Sequence, residues 1–250
     1  MKNIILLKKK EGETPLAALL RFKERNKKYK NVKMTYAGRL DPLVSGLLLI
    51  LAGDTTKEKE KYLGLSKEYK FEILFGFATD TYDILGKVLP TTIRTNSTIE
   101  KNELERKIKQ NLKYFTGKFM QKYPMYSSKT VDGKPLFAYA RAGKVVESPE
   151  REVRVSSLKL LKIRTLSAQK FLQNIERRVA KVKGDFRQKE ILKIWRIKLN
   201  KSKEKFSVAS FYIKCGSGTY VRSIANDFGQ KIGLPSLALS IKRTKIGKYE

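Results

Sequence analysis

The stretch Leu47–Leu51 most constrains the fold, because five consecutive aliphatic side chains lie between Gly46 and Gly53. An apolar run this short, bounded by glycines, is typical of a buried strand. Asp41 and Pro42 precede it, and proline disfavours the helical conformation for the residue before it. The pattern therefore predicts a loop that holds one carboxylate at the mouth of a core. The alternative is that Asp41 is an ordinary turn residue, which hydrogen-bonds its own backbone.

The charge of the chain points to a polyanionic partner. The 250 residues include 55 Lys and Arg but only 24 Asp and Glu, a net charge of +31, while 41% hydrophobic residues suffice for a core. Such an excess is costly in self-repulsion unless a polyanion is bound, and nucleic acid is the leading candidate. An anionic membrane is the rival, but no window approaches the roughly 18 apolar residues of a spanning helix. The N-terminal apolar run is also too short for a signal peptide, so we predict a cytoplasmic protein without membrane association.

The amino-acid usage excludes several kinds of catalysis. Histidine is absent, and Cys215 is the single cysteine. These counts exclude a histidine general base, serine-histidine or cysteine-histidine pairs, a disulfide and a multi-cysteine metal site. Neither GxxxxGK[ST] nor GxGxxG occurs, so nothing indicates a nucleoside triphosphate or dinucleotide. Catalysis must use carboxylates, tyrosine, lysine, arginine or a bound ion.

Periodicity predicts several elements. Ile4–Leu7 is strand-like, and Thr14 with Pro15 caps a helix that extends to about Lys30. We expect its inward residues to be Leu16, Leu19, Leu20 and Phe22. The clearest strand is Tyr69–Phe77, in which aromatic and aliphatic residues alternate with others. Tyr69 leads the apolar face, and from this pattern alone it is a core aromatic.

Two more helices are predicted further along the chain. One covers about Ile99–Phe115, and the other follows a strand at Phe206–Cys215. The inward residues of the second helix are Val221, Ile224, Ala225, Phe228 and Ile232. Arg222 falls in its first turn, where the helix dipole disfavours a cation. A carboxylate such as Asp41, or a phosphate, would compensate that charge, although a surface arginine is also tolerated there.

Two segments are basic in different ways. Residues 116–154 mix Gly, Pro and Ser with Lys, Arg and aromatics, including Tyr123, Tyr126, Phe137 and Tyr139. This composition suits a surface that tracks phosphates and stacks bases, or equally an ordinary lysine-rich loop. Residues 166–205 form a charged insert with apolar residues at helical spacing, interrupted near Gly184. We predict two packed helices there and assign them no chemistry.

Four segments, in this order, resemble the TruB family of tRNA pseudouridine synthases. They are GRLDPLVSGLLLILAGDTTK, KEYKFEILFGFATDTYDILGK, FTGKFMQKYPMYSSKTVDGKPLFAYARAGK and CGSGTYVRSIANDFGQKIG. The resemblance covers about residues 36–159 and residue 206 to the C-terminus. It implies an isomerase that converts uridine 55 in the T loop of tRNA to pseudouridine, with no cofactor and no metal.

The resemblance also assigns catalytic roles. Asp41 matches the catalytic aspartate and is expected to be the nucleophile, at C1′ of the ribose or at the uracil ring. Tyr69 matches the tyrosine that packs against the target base, where it would also help remove the C5 proton. Arg222 matches the arginine that keeps the aspartate ionised and oriented. Flipping of the uridine out of its loop is implied as well.

The implied fold is α+β, with a central, mainly antiparallel sheet, flanking helices and an inserted RNA-binding thumb at about residues 124–154. The residues expected to bind substrate are Tyr36, Arg39, Lys129, Tyr139, Arg141, Ile241 and Arg243.

The chain departs from the family pattern at three places. Tyr36 stands where the family usually has a histidine, so stacking is expected to replace hydrogen bonding to the base. The usual Lys-Pro-x-Gly-x-Thr-Ser is reduced to residues 10–15, which leaves no clear role for Lys10. We expect one catalytic domain over residues 1–250, without a C-terminal PUA-type domain.

The expected partner is the T arm of tRNA, bound by a monomer that requires no obligate protein partner. One alternative is a non-catalytic RNA-binding or RNA-folding protein of the same fold. Another is a guide-dependent rRNA pseudouridine synthase, whose relatives normally have the extra C-terminal domain.

Overall fold

The apolar run before Gly53 is a central strand of an eight-stranded sheet in the computed structural model, which describes residues 3–90 and 99–250. The strands of this sheet are β1 (Ile4–Lys9), β2 (Met34–Ala37), β3 (Ser45–Ala52), β4 (Lys67–Phe75), β5 (Gly117–Lys122), β8 (Glu150–Ser167), β9 (Lys205–Cys215) and β10 (Ser236–Ile246). Two short strands, β6 (Thr130–Val131) and β7 (Lys134–Pro135), pair with each other outside it. The helices are α1 (Pro15–Arg25), α2 (Lys59–Leu63), α3 (Lys101–Asn111), α4 (Leu136–Arg141), α5 (Ala168–Val179), α6 (Gln188–Leu199) and α7 (Val221–Ile232).

The sheet has the order β1, β3, β10, β4, β9, β8, β5, and β2 also pairs with β3. Neighbouring strands are antiparallel, except that β10 runs parallel to the start of β3. The predicted α+β class with a mainly antiparallel sheet is therefore confirmed. Tyr69 of β4 is paired with Arg243 of β10, and Arg243 is paired with Gly46 of β3. These pairings bring three distant parts of the chain into one row.

Helices α3 and α7 cover one face of the sheet. The alternation predicted for β4 places Phe71 and Ile73 on this face, where they are buried. The Phe71 ring stacks on Phe211 of β9 with centroids 5.2 Å apart, and Phe211 contacts Phe228 of α7 at 5.7 Å. This packing fixes α7, and with it the position of Arg222.

The hairpin of α5 and α6 covers the opposite face, which confirms the two helices predicted for the insert. Trp195 is its central residue, with no exposed surface. Its ring lies 5.1 Å from that of Phe77 and 5.2 Å from that of Phe171, and its indole N–H donates to the Ile84 carbonyl at 3.2 Å. Leu74, on the second face of β4, is buried for this reason. The sheet is thus covered on both faces, and the insert belongs to the core.

Two expectations about elements were wrong. Helix α1 ends at Arg25 and not near Lys30, because the Asn26 side chain donates to the Phe22 carbonyl at 2.8 Å and closes the helix. Leu16 and Leu20 were expected to face inward but are 55% and 49% exposed. The residues that α1 buries are Ala18 and Leu19, a narrower stripe than the sequence suggested.

Strand β8 was not predicted at all. Its eighteen residues pair with both β5 and β9, and register shifts near Val155 and Leu160 interrupt the alternation of inward and outward side chains. A bulge places two residues opposite one, so a simple period of two no longer identifies the strand.

In the described ranges, no helix is long and apolar enough to span a lipid bilayer.

Replacing Trp195 with alanine should lower the free energy of unfolding by about 3–5 kcal/mol, because it leaves a cavity among packed rings. Urea unfolding followed by circular dichroism would measure the change. Ile197→Ala is the matched control, since Ile197 lies on the same helix and is 70% exposed. Its effect should stay within about 0.5 kcal/mol. Equal losses in the two variants would contradict the role of the hairpin as part of the core.

Candidate active site

Asp41 lies in the loop between β2 and β3, and the side chain of a buried lysine binds the backbone of this loop. The ammonium of Lys9 donates to the carbonyl oxygens of Pro42 and Val44, at 3.1 and 2.6 Å. The Gly12 N–H donates to the same Pro42 oxygen at 2.9 Å. Three hydrogen bonds from Lys9 and Gly12 therefore fix the backbone that directly follows Asp41.

Lys9, and not its neighbour Lys10, is the lysine whose ammonium binds the Asp41 loop. Only 2% of Lys9 is exposed. Burial lowers the pKa of its ammonium to about 8, against the opposing effects of Glu13 and Asp41. Its position at the end of β1 directs it inward. Adjacent lysines look alike in the sequence, so only the strand pairing distinguishes them.

The predicted pair of Asp41 and Arg222 is present. Arg222 Nε lies 2.7 Å from Asp41 Oδ2. The arginine side chain is 4% exposed, whereas that of Asp41 is 38% exposed. Arg222 also donates to the carbonyl oxygens of Thr81 and Tyr126. The guanidinium is thus fixed inside the protein, and it presents the carboxylate toward the cavity.

A second carboxylate, Asp83, lies 3.8 Å from Arg222 Nε. Its Oδ1 accepts hydrogen bonds from the Thr81 hydroxyl and the Leu85 N–H, at 2.7 and 2.9 Å. Burial raises the pKa of Asp83, and Arg222 opposes this shift. Burial would lower the pKa of Arg222, but Asp41 and Asp83 outweigh that effect and raise it. Arg222 therefore stays a cation shared by two carboxylates.

Tyr69 forms an aromatic wall of the same site. It is 8% exposed, and burial raises the pKa of its phenol, although Arg243 opposes the shift. Arg243 is 1% exposed and donates to the carbonyl oxygens of Leu47 and Gly38, at 2.6 and 3.4 Å. A side chain at Gly46 would collide with the backbone of Arg243, and φ there is 109°. Glycine is therefore required where β3 meets β10.

These groups surround one cavity of about 880 Å³. The predicted site residues that line it are Tyr36, Arg39, Asp41, Tyr69, Arg141, Arg222, Ile241 and Arg243. The structure does not bring Lys129 and Tyr139 to the cavity. The Tyr139 hydroxyl donates to the Val131 carbonyl at 3.1 Å, and the Lys129 ammonium lies 5.6 Å from the Tyr123 ring centroid. Both residues instead organise the thumb.

Sequence reasoning missed five charged residues of the cavity: Lys59, Lys67, Asp83, Arg151 and Arg187. Lys67 is 6% exposed and donates to two carbonyl oxygens after α2, both at 2.6 Å. Burial and the nearby Arg243 lower its pKa to about 8. Arg151 Nε is buried and has no hydrogen-bond partner in the described part of the chain. Lys67 and Asp83 both lay in one segment that resembles the family, and Arg151 lay in the basic segment 116–154.

The arrangement combines an ionised carboxylate, a buried guanidinium and a flat aromatic ring in a basic cavity. It can bind a planar polar base against the ring of Tyr69 and stabilise positive charge that develops beside Asp41. Among residues 3–90 and 99–250, no cluster of three or more cysteine, aspartate or glutamate side chains is placed to hold a metal ion. The carboxylate of Asp41 is the acidic group that is paired with Arg222 and exposed to the cavity.

Comparison with known proteins agrees with this geometry. A family profile described as TruB family pseudouridylate synthase (N terminal domain) matches residues 25–184. The chain is 32% identical over 250 residues to tRNA pseudouridine synthase B of Ligilactobacillus salivarius, covering 100% of this chain and 69% of that protein. It is 32% identical over 247 residues to tRNA pseudouridine synthase B of Aquifex aeolicus, covering 98% and 69%.

Solved structures share the fold. A Cbf5-Nop10-Gar1 complex contains a chain that matches with a TM-score of 0.58 at 17% identity, covering 99% of this chain and 49% of that one. An H/ACA RNP bound to a substrate RNA containing 2′-deoxyuridine gives a TM-score of 0.56 at 19% identity, covering 99% and 48%. The present chain thus spans about half the length of these two.

The buried Lys67 should make stability depend on pH. Its pKa is about 8 in the folded protein and 10.5 ordinarily, so between these values the unfolded chain binds more protons. The free energy of unfolding of the wild type, minus that of Lys67→Met, should therefore rise from about pH 8 to about pH 10.5, by up to about 3 kcal/mol. Urea unfolding at several pH values measures this difference. Lys70, exposed on the same strand, gives the control Lys70→Met. A rise of equal size in that control would contradict the assignment.

Proposed function

Because this chain belongs to the TruB family of pseudouridylate synthases, we propose that it converts uridine 55 in the T loop of tRNA to pseudouridine. The observation that carries the proposal is the ion pair of Asp41 and Arg222, which faces the same cavity as the ring of Tyr69. The matched relatives are named as tRNA pseudouridine synthases, which supports tRNA as the substrate.

The proposed reaction is an isomerisation that balances without a co-reactant. The bond between N1 of uracil and C1′ of ribose breaks, and the freed base turns within the cavity. A bond then forms between C5 and C1′, C5 loses its proton, and N1 ends protonated. No atom or electron is gained or lost overall.

Asp41 is the proposed nucleophile. Breaking a glycosidic bond develops positive charge at C1′, and a carboxylate can stabilise that charge or attack the carbon, as in retaining glycosidases. Attack on the uracil ring would use the same carboxylate. Arg222 binds one Asp41 oxygen at 2.7 Å and orients the carboxylate for either route. Asp83 keeps Arg222 in place from the other side.

Tyr69 is the proposed stacking partner of the uracil. Burial raises the pKa of its phenol, so the side chain is neutral near pH 7. A neutral phenol is a poor base, and the geometry therefore supports stacking more strongly than removal of the C5 proton. Ile241, which also lines the cavity, would supply a second apolar contact for the base.

The uridine reaches this cavity only when it is turned out of the T loop. Tyr36 lines the cavity where the family usually has a histidine, and its ring is the proposed support for the displaced base. Arg39, Arg141 and Arg151 line the same cavity and are the proposed phosphate contacts. The unpaired Nε of Arg151 favours this role, because a buried N–H group without an acceptor is costly.

Release of tritium from C5 of uridine tests the activity directly. A tRNA transcript labelled at that position should release tritium with the wild type, and Asp41→Asn should reduce the rate at least about 1,000-fold, as for other enzymes that lose a nucleophile. A transcript with cytidine at position 55 should be inert. Asp54→Asn, which changes a carboxylate with 93% of its side chain exposed, is the control and should retain activity.

The alternative is a non-catalytic RNA-binding protein of the same fold. Tight binding of tRNA without tritium release would favour it, and Tyr36 would then be the first residue to replace with histidine. Release by Asp41→Asn at the wild-type rate would instead remove the aspartate from the mechanism while leaving the activity in place.

Affinity for tRNA should depend steeply on salt. If the arginines of the cavity and the thumb contact about six phosphates, binding should weaken about 1,000-fold between about 50 and 200 mM monovalent salt, because bound counterions are released. Filter binding across this range gives the slope of the logarithm of affinity against the logarithm of salt concentration. Arg151→Gln should reduce the magnitude of this slope by about one, the loss of one phosphate contact. Affinity that hardly changes with salt would contradict phosphate contacts as the main source of binding.

A further inference from the structure

The hairpin of α5 and α6 is the part of the chain to which the sequence assigned no chemistry, yet its tip reaches the active site. Phe186 and Arg187 both line the cavity that contains Asp41. Both residues lie beyond the end of the family profile at residue 184, and outside the motifs that resemble the TruB family. The tip therefore adds a wall to the cavity that the family motifs do not account for.

The tip is held rigidly. The Arg187 guanidinium binds both carboxylate oxygens of Asp80, at 2.7 and 3.3 Å, and lies 4.4 Å from the ring centroid of Tyr126. The Gln188 side chain accepts from the Phe186 N–H at 2.8 Å and donates to the Gly184 carbonyl at 2.6 Å. These contacts fix the backbone on both sides of Phe186.

Arg141 of the thumb joins the tip to form a small cluster of flat groups. Its guanidinium donates to the Asp185 carbonyl at 2.8 Å. It lies 6.0 Å from the ring centroid of Phe186 and 5.8 Å from that of Phe137. Phe137 is 37% exposed and Arg141 is exposed as well. Phe186 itself is half-buried, so the cluster presents one exposed ring, one half-buried ring and a guanidinium at the wall of a basic cavity.

Unpaired bases of RNA bind to such groups. They stack on aromatic rings and on the flat face of arginine, with little dependence on which base is present. The cavity of about 880 Å³ is near the upper end of the roughly 300–1,000 Å³ of ordinary ligand sites. It has room for more than the single base that Tyr69 would hold.

We propose that Phe186, Arg141 and Phe137 form a second base-binding site, which holds an unpaired nucleotide next to the target uridine. The site rests on the proposed function, since its ligand is the same RNA. The hairpin and the thumb then both contact the same nucleotide, and Arg187 positions the tip of the hairpin for this contact.

A more ordinary explanation is that Phe186 only packs at the edge of the core beneath the hairpin. Phe186→Leu separates the two roles, because leucine keeps an apolar side chain for packing and removes the ring needed for stacking. Phe186→Tyr keeps the ring and should restore binding. Ile197→Ala, on the exposed side of the same hairpin, is the control for nonspecific effects.

The decisive test is a thermodynamic cycle between protein and RNA. Dissociation constants are measured for a T-arm hairpin that already carries pseudouridine at the target, and for copies that lack the base of one flanking nucleotide. Phe186→Leu should weaken binding of the intact hairpin at least about fivefold. Phe186→Leu should cause no further loss of affinity for the copy that lacks the stacked base. For the other copies, the loss from the substitution and the loss from the missing base should add.

Additive effects at every flanking position would overturn the second site, as would a Phe186→Leu protein that binds the intact hairpin like the wild type. A variant that lowers kcat without changing the dissociation constant would also overturn it, because the tip would then only position the catalytic groups. The cycle needs no turnover. Absence of tritium release would therefore refute the proposed activity without deciding the base-binding site.

Discussion

The structure depends above all on a buried cation at the start of α7. Arg222 stands where the helix dipole repels positive charge, and its removal from water costs several kcal/mol. Asp41, Asp83 and two backbone carbonyl groups compensate it. This requirement joins the loop before β3, the turn after β4 and the thumb to a single guanidinium. The same contacts hold the Asp41 carboxylate against Arg222 and facing the cavity, as its proposed chemistry requires.

The other buried cations hold backbone in place. Lys9, Lys67 and Arg243 each donate to carbonyl oxygens at the ends of strands or helices around the cavity. Charged donors bind carbonyl groups more strongly than neutral ones do. Loops fixed in this way keep the site close to one geometry before substrate arrives, and such preorganisation favours catalysis by fixed charges and dipoles. The excess of basic residues therefore serves the interior as well as the RNA-binding surface.

The inserted hairpin is integrated with both sides of the active site. At the end of α5, the nearly buried Arg178 pairs with Glu11 at 3.0 Å, in the turn that holds the Asp41 loop. At the tip of the hairpin, Arg187 pairs with Asp80, in the segment that also supplies Asp83 and Thr81. Trp195 of α6 is buried in the hydrophobic cluster between the hairpin and the sheet. The hairpin thus contacts both the turn that binds the Asp41 loop and the segment that supplies Asp83.

The sequence by itself determined the local features. The aliphatic run of β3, the alternation of β4 and the apolar stripe of α7 each follow from side-chain periodicity, and the family motifs identified Asp41, Tyr69 and Arg222. Periodicity failed where bulges interrupt it, as in β8, and where a helix buries less than its apolar residues suggest, as in α1. Only the tertiary structure decided that Lys9 and not Lys10 holds the catalytic loop, and that Asp83 shares Arg222. Burial and ion pairing depend on contacts between residues far apart in the chain, as with Arg222 and Asp41, which are 181 positions apart.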